Sequence, residues 1–336
     1  MSRLRRLLPD GFTLTILGSV ALAVILPCRG ESARWITAAS GAAIALLFFL
    51  QGARLSLDVV YAGMLHWRLH LTIFAATFVV FPLLGLALHP LSGPVLPLPL
   101  YLGLLFLCTL PSAVQASVIF TSVAGGNVPA ALCSASLSSI VGLVLTPLLV
   151  GLLLQAHGEV SPNGIGSIAL HLLLPFIAGQ VAQRWIAGWL RRRQSVVKLV
   201  DRGSVLLMVY GAISAATVSG AWLQLPASSL LVLAAVDAAL LAVMLAFTTF
   251  AARRLGFSRT DEIAIVFCGS KKSLVTGIPM ANALFAGPTA GIAVLPLMVF
   301  HQLQLMACAM LSQRYAAGQP DQEAALRPAP QPAAGS

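Results

Sequence analysis

A succession of apolar runs, each close to one length, constrains this chain more than any motif. A helix needs about 20 apolar residues to cross hydrocarbon. Windows of that kind fall at about 12–28, 34–51, 69–89, 98–123, 128–154, 163–184, 203–221, 227–252, 261–285 and 289–313. Ten spans follow, and the expected fold class is an all-α polytopic membrane protein. Of 336 residues, 58% are hydrophobic and 9% charged, where a soluble domain carries about 25% charge. The formal net charge of +10 would point to nucleic acid in a soluble chain. Here the bases cluster in short loops, so the partner they imply is the lipid bilayer and not nucleic acid.

Loop charges test the count independently. Arg3, Arg5 and Arg6 precede span one, and Arg54 and Arg68 follow span two. Arg184, Arg191, Arg192, Arg193, Lys198 and Arg202 follow span six, Arg253, Arg254 and Arg259 follow span eight, and Arg314 follows span ten. The alternate loops "HPLSGPVLPLP", "QAHGEVSPN", "SGAWLQLP" and "AGP" carry no Lys or Arg, and only Arg29 and Arg34 break the pattern. Both termini are thus expected in the cytoplasm of a bacterial cell, with the spans in its inner membrane. The start, "MSRLRRLLPDGFTLTILGSVALAVILP", imitates a signal peptide, but the count needs it as a retained first helix.

Five spans on each side of "QAHGEVSPN" make the halves odd-numbered, so a duplicated half would enter the membrane inverted, a recurring transporter architecture. The expected division is a first five-helix repeat over 1–155, a second inverted repeat over 156–315 and a disordered cytoplasmic tail over 316–336. The fourth span of each half is interrupted, by "CTLPSAVQAS" in span four and "CGSKKSLVTGIP" in span nine. Interrupted helices at matching positions point to a binding site near the midplane.

Lys271 and Lys272 stand side by side in the second interruption. Lys271 lies ten residues beyond Asp261, roughly 15 Å along a helix, about halfway through hydrocarbon ~30 Å thick. A charge there costs at least ~2.5–3.5 kcal/mol. Two adjacent ones require a polar cavity, an anion, or a lysine that sheds its proton. The bland reading makes 260–273 a cytoplasmic or re-entrant stretch and starts the helix at Leu274, at the expense of the loop-charge parity. Asp237 is the one acid deep in a span; it pairs with Lys271 or Lys272, is a protonated packing residue, or hydrogen-bonds a neighbouring helix. Span four offers Thr109, Ser112, Gln115, Ser117 and Thr121, with Pro111 loosening the turn beside them; such hydroxyls also serve as helix glue. Gly269, Ser270, Ser273 and Thr276 flank the lysines. His171 and His301 are candidate proton relays or plain structural histidines, and Gly125, Gly126 and Asn127 read as helix punctuation.

The five cysteines form no CxxC and no Cys/His pair at zinc spacing, so neither a disulfide framework nor a metal is expected. No Gly-x-Ser-x-Gly, His-Glu-x-x-His or P-loop occurs, which excludes the common hydrolases and NTPases. No catalytic residue and no cofactor is implied.

At its motifs the chain resembles the bile acid:sodium symporter superfamily, over its length to about Gln313. "TFVVFP" is similar to the family's Gln-Phe-x-x-Met-Pro run in span three. "CTLPSAVQASVIFTSVAGGN" resembles its Cys-x-x-Pro-Gly-Gly-x-x-Ser-Asn stretch and following Gly-Asn. "LTPLL" matches the end of span five, and "KKSL" falls where the family has Gln-Asn-Ser. With "GIP" after it, the lysine form resembles a divergent bacterial branch of bile-acid-transporter-like proteins. The resemblance implies a panel domain (spans one, two, six and seven), a core domain (three to five, eight to ten), crossing broken helices four and nine, elevator-like alternating access and an organic anion as substrate. It also implies sodium, yet Phe267 stands where the family has a Glu ligand. Lys271 replaces the Gln, Lys272 the Asn, Thr77 the span-three Gln and Val118 the Asn after Ser117. Two ammonium groups repel sodium. The expectation is a tethered lysine in sodium's place, with transport uncoupled or proton-coupled through Lys271 or Lys272 with Asp237. The alternatives are an arsenite or small-oxyanion permease using Cys108, and a membrane sensor that binds but does not transport.

Overall fold

In hydrocarbon every backbone polar group must find a partner inside the protein, and the regular structure is accordingly helical. The computed structural model describes residues 11–54, 66–93, 95–154, 162–221, 225–285 and 288–318. The basic segment before Gly11, the loop at 155–161, the side chain of His171 and the chain from residue 319 lie outside the described residues. The helices are α1 (Gly11–Ile25), α2 (Gly30–Arg54), α3 (Trp67–Ala75), α4 (Phe81–Ala87), α5 (Leu98–Thr109), α6 (Val114–Val123) and α7 (Val128–Leu154). They continue with α8 (Pro162–Arg192), α9 (Gln194–Val218), α10 (Ala227–Arg254), α11 (Arg259–Gly269), α12 (Leu274–Leu284) and α13 (Pro288–Ala317). Helix α13 runs to Ala317, just past the residue at which the tail was expected to begin.

Among the described residues, six stretches are long and apolar enough to cross a membrane: Gly30–Arg54, Trp67–Leu91, Val128–Leu153, Ser228–Arg254, Arg259–Leu284 and Pro288–Ala317. The pair α5 and α6, bent by 63° at its break, makes a seventh if taken as one span. Helix α1 has 15 residues, and α9 carries Lys198, Asp201 and Arg202 near its start.

Packing sorts the helices. Helix α1 lies on α9, and α2 lies along α8 and α9. The others gather around α11, α12 and α13, and α9 joins the two groups by touching α12 and α13. The α2–α8 contact is backbone to backbone. A β-carbon on Gly52 would overlap the carbonyl of Phe176, and one on Gly179 the carbonyl of Phe49. Glycine is what lets membrane helices approach so closely.

Three breaks position the site. Residues Ala76–Val80 form a π-turn between α3 and α4, closed by the Phe81 N–H on Ala76 O. The next donor in that register would be Pro82, which has no N–H, so the Thr77 carbonyl is left over. Helix α5 stops at Thr109, before Pro111, and α6 restarts at Val114. Helix α11 stops at Gly269, and α12 restarts at Leu274 under a Ser273 cap that accepts the Thr276 N–H. Arg259–Leu284 is the centre of the molecule, with 94% of its apolar window buried.

Candidate transport site

The breaks at 110–113 and 270–273 lie against each other. The Ser273 N–H donates to Pro111 O at 3.0 Å. Ser112 Oγ donates to Cys268 O at 2.7 Å and Ser117 Oγ to Phe267 O at 3.0 Å. Those two carbonyls belong to the last turn of α11, whose acceptors have no partner within the helix. The Ser112 N–H is taken by Ser138 Oγ at 3.1 Å, and Thr146 Oγ1 donates to Thr109 O at 2.8 Å. Hydroxyls of spans four and five thus replace the helical hydrogen bonds that the breaks remove.

Both lysines are fully buried inside the helix bundle. Their side chains meet different neighbours. Lys272 Nζ donates to Thr77 O at 2.9 Å, Cys108 O at 2.8 Å and Leu110 O at 2.7 Å. All three ammonium protons are used, on carbonyls stranded by the π-turn and by the end of α5. The ring of Phe81 closes the fourth side, 4.0 Å away. The backbone of Lys272 is held as well: its N–H donates to Gln304 Oε1 and its carbonyl accepts from Gln304 Nε2, both at 2.9 Å. Gln304 Nε2 also meets His301 Nδ1 at 2.9 Å.

Lys271 is the opposite case. Its ammonium has no hydrogen-bond partner and lies 4.4 Å from the ring centre of Phe120 and 5.0 Å from that of Phe267. The thiols of Cys268 and Cys308 are within electrostatic reach, and the buried hydroxyl of Thr121 is also unpartnered. Aromatic faces offset part of the cost of burying a cation, by about 2 kcal/mol when it is desolvated, and accept no proton.

Asp237 forms no ion pair with either lysine. Both its oxygens are buried without a hydrogen-bond partner. The reason is that Lys272 spends its protons on carbonyls and Lys271 faces α6 and α11. Thr77 enters the site through its carbonyl, while its hydroxyl is unpartnered. Ser270 bonds back to Val266 O, and Thr276 binds the Ser273 hydroxyl. A β-carbon on Gly269 would meet Thr248 and Ala76. Gly126 and Asn127 do more than end a helix: the Asn127 N–H donates to Thr260 O and its amide to Asp261 Oδ1, docking that turn on the start of α11. The sulfur of Cys108 faces Gly85, and all five cysteines are free.

Gln115, in the first turn of α6, opens into a cavity of about 1000 Å³ shared with Gln180, Gln183, Arg184, Arg191 and Lys198. Arg54 lines it too, held by Asp201 through two hydrogen bonds of 2.6 and 2.8 Å. Helix α6 has no side-chain cap at its N-terminus, so the positive end of its dipole is turned toward this basic chamber. Sequence reasoning took these bases for topology signals and passed over Gln304, whose only signal was an amide in an apolar run.

The model of the SBF-like CPA transporter family matches residues 10–317. The chain belongs to that family. Members of the SBF-like group are transporters, not enzymes, and this chain is an integral membrane protein of the bile acid:sodium symporter kind. It is 57% identical to an uncharacterized protein of Pseudomonas aeruginosa over 97% of this chain and 98% of that one. It is 50% identical to YfeH of Escherichia coli (strain K12), over 91% and 92% respectively. Sodium/bile acid cotransporter 7 of Rattus norvegicus is similar at 32% identity over 91% of this chain and 92% of its own.

Proposed function

We propose that this SBF-like protein is a secondary transporter of an organic anion, a carboxylate or sulfonate, and that it works by alternating access without sodium. The observation that carries the anion is the chamber in which Gln115, at the start of the broken helix, faces Arg184, Arg191 and Lys198. The proposed architecture is ten spans in two inverted five-helix repeats, 1–155 and 156–315, with both termini in the cytoplasm of the inner membrane. Spans one, two, six and seven are the panel, and the other six are the core that moves. The packing of α1 on α9 and of α2 along α8 and α9 supports that division, as do the two breaks bonded to each other.

The rat relative is named for sodium and bile acid. For this chain we keep the anion and replace the sodium. Lys272 supplies a fixed positive charge to the carbonyls of the broken helices, as a bound cation would. Lys271, with no acceptor for its protons, is the group free to lose and regain one as the site changes sides, which makes it the proton-coupling residue. Asp237 stands apart from both. The metalloid alternative needs the Cys108 thiol in the pathway, and that sulfur is packed on Gly85.

The test is counterflow in proteoliposomes with a panel of organic anions, with choline in place of sodium. Exchange that persists in choline and fails in Gln115→Ala supports the reading. Sodium-driven uptake that survives Lys271→Gln and Lys272→Asn would overturn it. Binding without any counterflow would mark a sensor.

A further inference from the structure

A second cavity, of about 510 Å³, lies between α10 and α13, away from the breaks. Leu245, Ala246, Ala307 and Leu311 form its floor. They follow the spacing of one helix face on each side, so the groove runs along about two turns of both helices, roughly 12 Å. Its walls, Phe250 and Met310, are exposed, and exposed apolar side chains on a spanning helix face acyl chains. Arg253 and Arg314 stand together at one end, the end that the loop charges assign to the cytoplasm.

Neither guanidinium is used up. Arg253 spends Nε and one terminal nitrogen on Glu262, both at 3.1 Å, and its side chain is still 61% exposed. Its other terminal nitrogen has no acceptor among the described residues, and Arg314 has no side-chain acceptor there at all. Two free guanidinium edges above an apolar slot match a phosphate ester with a hydrocarbon tail, because arginine binds phosphate in two-point fashion and basic pockets between spanning helices on the cytoplasmic side hold anionic headgroups. A zwitterionic lipid would bring its own cation against the two arginines.

We propose that the α10–α13 groove is a binding site for one anionic phospholipid, its phosphate on Arg253 and Arg314 and one acyl chain along the floor. The site has a mechanical address. Glu262 is buried and takes hydrogen bonds from Arg253, Arg259 and Tyr315, which ties α10, α11 and α13 into one knot at the start of the helix that ends in the two lysines. A lipid phosphate on Arg253 and Arg314 braces that knot from outside.

The full chain, purified and delipidated in detergent, is titrated with phosphatidylglycerol, phosphatidylcholine and glycerol phosphate while thermal unfolding is followed, with native mass spectrometry as the second readout. The expected result is a rise of several degrees with phosphatidylglycerol alone and one retained lipid per chain. Arg314→Gln should weaken retention about tenfold, and Ala307→Trp, which fills the floor, should abolish it; neither residue belongs to the proposed transport site. Equal shifts with phosphatidylcholine, a full shift with glycerol phosphate, or a dimer in place of a bound lipid would each overturn the proposal. So would retention unchanged in both variants, and native mass spectrometry of a folded variant separates lost binding from lost folding.

Discussion

The ammonium of Lys272 reaches the carbonyl oxygen of Thr77 at 2.9 Å, and that oxygen is available because Pro82 has no N–H to give it. A proline in one helix and a lysine in the break between two others, 190 residues apart in the chain, thereby complete one hydrogen bond. The same ammonium closes the end of α5 through Cys108 and Leu110. It joins the π-turn to the end of α5, where the backbone of both lacks donors.

Removing that group should be costly. Lys272→Met leaves three buried carbonyls without a donor, each worth about 1–3 kcal/mol. We expect at least ~3 kcal/mol of destabilisation, read as a large fall in the thermal midpoint in detergent or as failure to accumulate. Lys272→Arg should not rescue it, since a planar guanidinium cannot place three donors tetrahedrally. A wild-type midpoint for Lys272→Met would remove the sodium-replacing role.

Lys271 should behave differently although it is the adjacent residue. Lys271→Met loses contacts with two rings and no hydrogen bond, so stability changes by no more than about 2 kcal/mol and may be measured against Lys272→Met in the same assay. Anion flux in Lys271→Gln should lose its dependence on pH. A flux whose pH profile matches wild type would show that Lys271 carries no coupling proton.

Asp237 gives a sharp contrast between pairing and packing. Breaking a buried ion pair costs about 3–5 kcal/mol. Asp237→Asn keeps the volume and breaks no pair, so its loss of stability should fall well below that range. A midpoint drop of the ion-pair size would mean that Asp237 reaches a lysine in the populated state.

The α2–α8 seam depends on two missing side chains. Gly52→Val and Gly179→Val each drive a side chain into the facing backbone, and we expect roughly 3 kcal/mol or more of destabilisation, with Gly→Ala milder in thermal unfolding. Equal stability of all four variants would mean that the helices can part without loss.

Much of the site was legible as chemistry and illegible as geometry. Pro111 and the "SKKS" run marked the breaks, because proline removes a donor and charge does not belong in hydrocarbon. Ser112 and Ser117 followed from the first break. What they bind did not: Phe267 and Cys268 are apolar residues that act through their carbonyls, and a carbonyl has no signature in sequence because every residue carries one. Gln304, Ser138 and Thr146 were passed over for the same reason, their targets being backbone groups.

The sequence alone determined the helical class, the membrane environment and the two interruptions, since apolar length and proline act locally. It also determined that two cations had to be accommodated. Only the tertiary structure decided how: one lysine bonded three times and its neighbour not at all, with Asp237 joined to neither. That outcome depends on which neighbours each lysine meets in the break and on which carbonyls nearby helices leave over. Both are properties of packing between distant parts of the chain.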